Sequence, residues 1–320
     1  MQPIIDRIDP DLISAELTSE RFLRTTNKGE NEIYVIDAFN APNTMREIGR
    51  LREIAFREAG GGTGLPCDID EFDIMENPCQ QMIVWNPESK EIIGGYRFIT
   101  GSNITIEDGV PRIATSHMFR FSDRFLTEFL PYTIELGRSF VSSDYQSTKS
   151  RPKAIYALDN LWDGLGALTV KFPDIKYLFG KVTMYPSYNR ECRDLILGFM
   201  HKHFPDPDCL VTPLNQLETR AESSEVQNLL SGADYKEDFK ILNHFIREHN
   251  SKIPPLVNSY MALSPTMRMF GTAINTEFGD VEETGIFFKI DDIFEEKKER
   301  HIPAVQPADL RFPQQDDSCK

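Results

Sequence analysis

Apolar positions along this chain recur in two rhythms, and the change from one to the other outlines its elements. Unbroken or alternating apolar runs mark strands over Glu32 to Phe39 (EIYVIDAF), Gln80 to Trp85, Glu91 to Thr100 and Lys176 to Tyr185 (KYLFGKVTMY). Asn86-Pro87-Glu88-Ser89-Lys90 between the second and third has the composition of a hairpin connection. Spacings of three and four mark helices. Met45, Ile48, Leu51 and Ala55 keep that period behind Asn43, which suits an N-cap, and Gly60-Gly61-Gly62 ends the segment. Ile155, Leu158, Leu161, Trp162, Leu165, Leu168 and Phe172 trace a second stripe behind Pro152, placed for a first helical turn. Gly164 and Gly166 inside it each cost about 1 kcal/mol against alanine, which predicts close backbone approach there. A further strand around Glu135-Leu136-Gly137-Arg138-Ser139-Phe140-Val141 precedes this helix, and Glu191 to His203 forms another helix.

The order strand, helix, three strands, helix, strand, helix predicts an α/β (α+β) fold: a mixed sheet with helices on both faces. Pro205, Pro207 and Pro213 make Phe204 to Ser224 a connection. Beyond it come a helix from Lys236 to His249 with Phe239, Leu242, Phe245 and Ile246 inward, then Pro254-Pro255 and a strand from Gly285 to Ile290. The expected division is a core over 1–203, a C-terminal extension over 204–294 packing on it, and a mobile, charged tail over 295–320.

The 320 residues are 40% hydrophobic and 27% charged, which suits a soluble globule. Fifty acidic against thirty-five basic residues leave a net charge of -15, the wrong sign for a broad nucleic-acid surface. Cys67, Cys79, Cys192, Cys209 and Cys319 form no C-x-x-C pair and are odd in number, which points to a reducing, cytoplasmic setting. Met1 to Arg24 is acidic and broken by Pro3 and Pro10, unlike a signal peptide, and no apolar run approaches the roughly 20 residues that span a bilayer.

Four short segments, read in order, carry a resemblance. Leu51-Arg52-Glu53-Ile54-Ala55-Phe56-Arg57-Glu58, Asp70-Glu71-Phe72-Asp73, Ile93-Gly94-Gly95-Tyr96-Arg97-Phe98 and Glu135-Leu136-Gly137-Arg138-Ser139-Phe140-Val141 resemble the GNAT-related group of acyl-homoserine lactone synthases and the hemolysin-like N-acyltransferases of ornithine and related aminolipids. Leu161-Trp162-Asp163-Gly164-Leu165 and Tyr177-Leu178-Phe179-Gly180 are similar to the aminolipid branch. The resemblance covers roughly Glu32 to Asn189 and implies a GNAT-like splayed sheet whose open edge accepts a pantetheine arm. It also implies an N-acyltransferase that moves a long (3-hydroxy)acyl chain from acyl carrier protein to the amine of a small amino acid, ornithine or glycine, in bacterial aminolipid synthesis.

On that resemblance Glu135 and Arg138 carry the catalysis, and Arg52, Phe56, Asp70, Asp73 and Arg97 the acceptor side. No cofactor is held permanently; the donor is a phosphopantetheine thioester, on carrier protein in preference to coenzyme A. The tryptophan that lactone synthases carry between the equivalents of Phe56 and Asp70 is missing, which favours an amino-acid acceptor. The loop Ser142 to Arg151 lacks the glycines with which acetyltransferases cradle a pyrophosphate. Ser147, Thr148, Lys149 and Arg151 would instead meet one phosphodiester, with Lys149, Arg151 and Lys153 offering a basic spot to an acidic carrier protein. Ser139, Phe140 and Val141 complete the expected donor side, with strand amides from Gly137 to Val141 facing the oxyanion. The amphiphilic product would allow transient contact at the inner membrane face.

Each assignment has a plainer rival. Glu135 could take the ammonium proton and Arg138 hold a carboxylate, or the two could be a buried ion pair. Strict alternation puts them on opposite faces, so one shared cleft needs a bulge, for which Gly137 is the candidate. Arg52, Asp70, Asp73 and Arg97 read as an ionic cluster anchoring the loop Gly60 to Asp73 as a lid, or as solvated surface charge. Phe56 lines the acyl channel or packs in the core. Tyr185 or Tyr188 could protonate the departing thiolate or simply pack at a strand end. Gly60-Gly61-Gly62-Thr63-Gly64 lacks the Lys-Ser/Thr of a nucleotide loop and reads as a flexible hinge. His201 and His203 fall on different helix faces, which argues against a metal site with Asp206, Asp208 and Cys209. Met267-Arg268-Met269-Phe270 would line a lipid pocket or the core, and Glu295 to Arg300 a solvated helix face. Two other functions stay open here: an acetyl-CoA-dependent GNAT acetyltransferase and a non-catalytic lipid or carrier-protein binding module.

Overall fold

A computed structural model describes residues 1–146 and 155–302. In chain order the elements are α1 (Pro10–Glu16), β1 (Phe22–Thr25), β2 (Glu32–Ile36), α2 (Pro42–Ala59), α3 (Glu71–Ile74), β3 (Gln80–Asn86) and β4 (Glu91–Thr100). Short strands β5 (Ile106–Glu107), β6 (Val110–Pro111) and β7 (Phe119–Phe121) follow, then β8 (Thr133–Val141), α4 (Ala157–Lys171), β9 (Tyr177–Met184) and α5 (Arg190–His203). The described chain ends with β10 (Val211–Pro213), α6 (Ser224–Leu229), α7 (Tyr235–Glu248), α8 (Pro255–Met261), β11 (Arg268–Asn275), β12 (Val281–Lys289) and α9 (Glu295–His301). Two compact units share these elements: Met1–Asn103 with Leu136–Ile175 and Glu295–Lys320, and Ile104–Glu135 with Lys176–Phe294. The chain therefore passes between them several times instead of dividing once after residue 203.

In the first unit β1, β2, β3 and β4 form an antiparallel meander, and the Leu136–Val141 part of β8 follows β4 in strand order. The β3–β4 hairpin turns as its composition predicts: Asn86 Oδ1 accepts from the amides of Glu88 and Ser89 at 3.0 Å each. α4 packs on β3 and β4, and Gly164 is where it does so, since a Cβ there would lie 2.4 Å from Met82 Sδ. A Cβ on Gly94 would meet the Phe140 carbonyl oxygen at 2.4 Å, so β4 and β8 approach closely at a residue without a side chain.

Four local expectations are corrected. The α2 N-terminus is not capped by Asn43, which lies inside the helix; the Glu16 carboxylate accepts from the amides of Asn43 at 2.9 Å and Thr44 at 2.7 Å. β2 stops at Ile36, three residues short of Phe39, and Ile155 lies exposed ahead of α4. Glu295–His301, assigned to the tail, forms a helix fixed to α4 by His301 Nδ1 at 3.0 Å from Asp163 Oδ1, an oxygen that also accepts from Asn27 Nδ2 at 2.9 Å. Residues 303–320 of that tail, like Pro152, lie outside the described residues.

In the second unit β12 lies between β9 and β11, antiparallel to both. One face of β9 and β12 carries phenylalanines, with Phe179 opposite Phe287. Phe125 is wholly buried among Phe121, Phe129, Phe179, Phe270 and Phe287, its ring centroids 5.3–6.3 Å from theirs. Phe270 belongs to this core. The stretch from Phe204 to Ser224 is not all connection, because β10 within it pairs with β7. α5 packs against α6 and α7.

Candidate functional site

Three arginines and three aspartates converge inside the first unit. Arg52 comes from α2, Arg97 from β4 and Arg138 from β8, while Asp68, Asp70 and Asp73 come from the short stretch at the start of α3. Asp73 Oδ2 lies 3.5 Å from Arg52 Nη1 and 3.4 Å from Arg97 Nη1. Arg97 Nη1 is 2.6 Å from Asp70 Oδ1, and Arg138 reaches Asp70 Oδ2 at 3.4 Å and Asp68 Oδ2 at 3.0 Å. Gln81, the cross-strand partner of Arg97, donates to Asp73 Oδ1 at 2.9 Å and accepts from Arg52. A capping box across α3 holds the aspartates in place, the Asp70 amide donating to Asp73 and the Phe72 amide to Asp70.

Burial decides the character of this cluster. Arg52 is 0% exposed and Arg97 1%, so the solvated-surface reading fails. Six opposite charges sharing hydrogen bonds can be buried where one could not. Burial pulls the Arg52 guanidinium below its ordinary value, with Asp73 and Asp68 resisting. Burial also opposes the charge on Arg97, but Asp73 and Asp70 more than offset it and hold that guanidinium well above its ordinary value. At Asp70 burial is outweighed by Arg97, Arg138 and Arg52, which hold the carboxyl at about 2.

The loop leading into this cluster is tied down, contrary to the expected hinge and lid. Glu53, buried in α2, accepts from Gly64 N at 2.7 Å, Thr63 N at 3.1 Å and Thr63 Oγ1 at 2.8 Å. Arg57 ties Glu53 at 2.7 Å to the carbonyls of Gln2 and Leu65. Burial resists the Glu53 charge, yet these donors hold its carboxyl below the usual range. Phe56, on the same helix, is buried.

Arg138 departs from β geometry at φ 47, so the alternation of β8 breaks at the arginine itself and not at Gly137. Glu135 is buried and is the last residue of its segment in the second unit, whereas Arg138 belongs to the first. On the donor side Phe140 is buried, Ser139 and Val141 half-buried, and the Ser142 amide donates to Ile93 O at 2.8 Å. Lys149 and Arg151, with Ser147, Thr148 and Lys153, lie outside the described residues.

The second unit contains both candidate tyrosines. Tyr188 donates its hydroxyl to Lys252 O at 2.9 Å, and burial pushes its phenol up. Burial and the charge of Glu283 push the Tyr185 phenol up too. Glu283 is ion-paired with Lys181. His203 lies 2.7 Å from Asp238, and Arg268 spans Asp206 and Asp208 at 3.0 and 2.6 Å; no metal-binding group occurs among the described residues. No helix of the described residues is long and apolar enough to cross a membrane.

Sequence reasoning missed Asp68, Gln81, Glu53, Lys181 and Glu283. Asp68 had a signal, standing two residues before Asp70; the others look like ordinary strand or helix polar residues until their partners are in place.

The acetyltransferase (GNAT) domain family matches residues 51–152, the segment that contains all six charged members of the cluster and Glu135. A glycine N(alpha)-acyltransferase of Bacteroides thetaiotaomicron is 59% identical over 317 residues, 98% of this chain and 94% of that one. Another, from Phocaeicola vulgatus, is 58% identical over 303 residues, 94% and 93% of the two chains. The crystal structure of the acyl-homoserine lactone synthase LasI aligns with 49% of this chain and 74% of that one, at 14% identity and a TM-score of 0.30, too low to carry an argument. Near-complete coverage at almost three identical residues in five removes the non-catalytic binding module and bears out the mixed α/β GNAT-type fold: the chain belongs to the GNAT-related N-acyltransferase family of these relatives, and it is an acyltransferase.

Proposed function

We propose that this enzyme acylates the α-amino group of glycine with a long 3-hydroxyacyl chain carried as a phosphopantetheine thioester on acyl carrier protein. The acceptor rests on one observation, the 59% identity over 98% of the chain to a protein named glycine N(alpha)-acyltransferase. Ornithine is the second acceptor that the aminolipid motifs leave open. The donor rests on Ser142 to Arg151, which has no glycine to bring backbone amides against a pyrophosphate, as coenzyme A would require. The product, an amphiphilic acylglycine, would enter aminolipid synthesis and suits an enzyme that meets the inner membrane face transiently.

The neutral amine attacks the thioester carbon, a C–N bond forms, and the C–S bond breaks with its electron pair on sulfur. Glu135 is the proposed acceptor of the nitrogen's proton. Tyr185 is preferred over Tyr188 as donor to the thiolate, because the Tyr188 hydroxyl is already given to Lys252 O. A phenol pushed up by burial stays protonated at neutral pH, as a donor must. Arg138, engaged by Asp68 and Asp70, is assigned with Arg52 and Arg97 to holding the loop that leads into α3.

The test is to incubate the purified protein with 3-hydroxyacyl carrier protein, long-chain acyl-CoA or acetyl-CoA and an amino-acid mixture, and to weigh the products. N-(3-hydroxyacyl)glycine from the carrier-protein arm is expected. Acyl-ornithine would replace the acceptor, acetylglycine from acetyl-CoA would replace the donor, and no acyl amide in any arm would overturn the proposal.

A further inference from the structure

One face of β9 ends in a row of polar groups. Lys181 and Thr183 alternate onto one face of β9, and Tyr185, the first residue past its end, continues their spacing. Glu283 of β12 is the register partner of Thr183 and so shares that face, with Lys181 and Tyr185 as its two diagonal neighbours. Lys181 contacts the Glu283 carboxylate, and Glu283 is 2% exposed. Next along the same face come Phe179 and Phe287 of the aromatic core. The neighbouring acid Glu282, paired with Arg193, alternates to the other face. An apolar pair would fill such a position at no loss of stability, so a buried glutamate paired with a half-buried lysine beside a tyrosine calls for a reason beyond packing.

We propose that Glu283, with Lys181 as its counter-ion, is a positioning residue for the Tyr185 hydroxyl in protonation of the leaving thiolate, an inference that rests on the acyl-transfer reading above. In that step the C–S bond breaks with its electron pair on sulfur, the Tyr185 O–H bond breaks, and an S–H bond forms. Tyrosinate then recovers a proton from water, which Glu135 replenishes with the one it took from the acylated nitrogen, so the net change moves one proton from nitrogen to sulfur. The Glu283 carboxylate keeps the phenol in its donor form between turnovers, and the Lys181 ammonium steadies the transient tyrosinate. The direction in which burial and Glu283 move Tyr185 agrees with this.

The two charges make opposite predictions, which a packing role does not. In full-length protein carrying 13C-labelled tyrosine, with the Tyr185 resonance assigned by its loss in Tyr185→Phe, Glu283→Gln should lower the pH at which Tyr185 titrates by about one unit. Lys181→Met should raise it by a similar amount, and Lys181→Gln gives the same sign test should the methionine variant not fold. With glycine and 3-hydroxyacyl carrier protein, the alkaline limb of kcat should move the same way in each variant, with KM for glycine changed less than about twofold, and Glu283→Asp should restore the wild-type profile. Shifts of one sign in both variants, or none, with acylglycine still formed by the wild type, would overturn the link to Tyr185 alone. Opposite shifts without acylglycine from the wild type would support the link and overturn the acyl-transfer reading alone.

Discussion

The two units bury charge in different ways. In the first, three guanidiniums and three carboxylates share contacts with one another and with Gln81. In the second, one lysine and one glutamate sit at the end of an aromatic core, next to a tyrosine. A shared network resists change in any one member's protonation and suits the work of holding a loop. A lysine–glutamate pair beside a hydroxyl can alter that hydroxyl's proton, which suits chemistry.

Two substitutions test this contrast most strongly. Arg97→Ala leaves the buried Asp73 and the half-buried Asp70 without their main cation and should cost about 3–5 kcal/mol in denaturant unfolding at pH 7. Phe125→Ala opens a cavity in the aromatic core and should cost a comparable 3–5 kcal/mol. The two separate in acid: the arginine penalty should shrink once Asp70 protonates, whereas the cavity penalty should not. Equal pH dependence would mean that the network is not held by charge.

The same logic gives the wild type an acid limb. Asp70 is held below its unfolded value, so its contribution to stability is complete above the unfolded value of about 3.9 and is lost as the pH falls towards about 2. Asp70→Asn should flatten the decline between about pH 4 and pH 2 in thermal melts, and an unchanged slope would remove Asp70 as its source. The smallest effect belongs to a site outside both clusters. Glu16→Ala removes the carboxylate that caps α2 and should cost about 1 kcal/mol, with α2 fraying first in amide exchange.

How much was legible in the sequence differed by element. The β3–β4 hairpin was, because apolar continuity and Asn86 are local signals. Gly164 was, because a costly glycine in a helix points to a close neighbour, here Met82. The ionic cluster was partly so. Arg52, Asp70, Asp73 and Arg97 stood out through the resemblance, yet a buried charge and a solvated one are written with the same residue. β11 and α8 escaped notice because a short apolar run and a proline pair carry no period of their own. The α2 cap was misassigned because the acceptor that caps it, Glu16, lies 27 residues upstream of Asn43.

By itself the sequence determined the strands and helices with strong periodicity, the mixed α/β class and, through four ordered motifs, the kinship with GNAT-related N-acyltransferases. Only the tertiary structure decided that the loop before α3 is pinned by Glu53, that β8 breaks at Arg138, and that Lys181 and Glu283 meet beside Tyr185. The reason is physical: periodicity is a property of neighbours along the chain, whereas desolvation and pairing depend on which distant groups arrive at the same place.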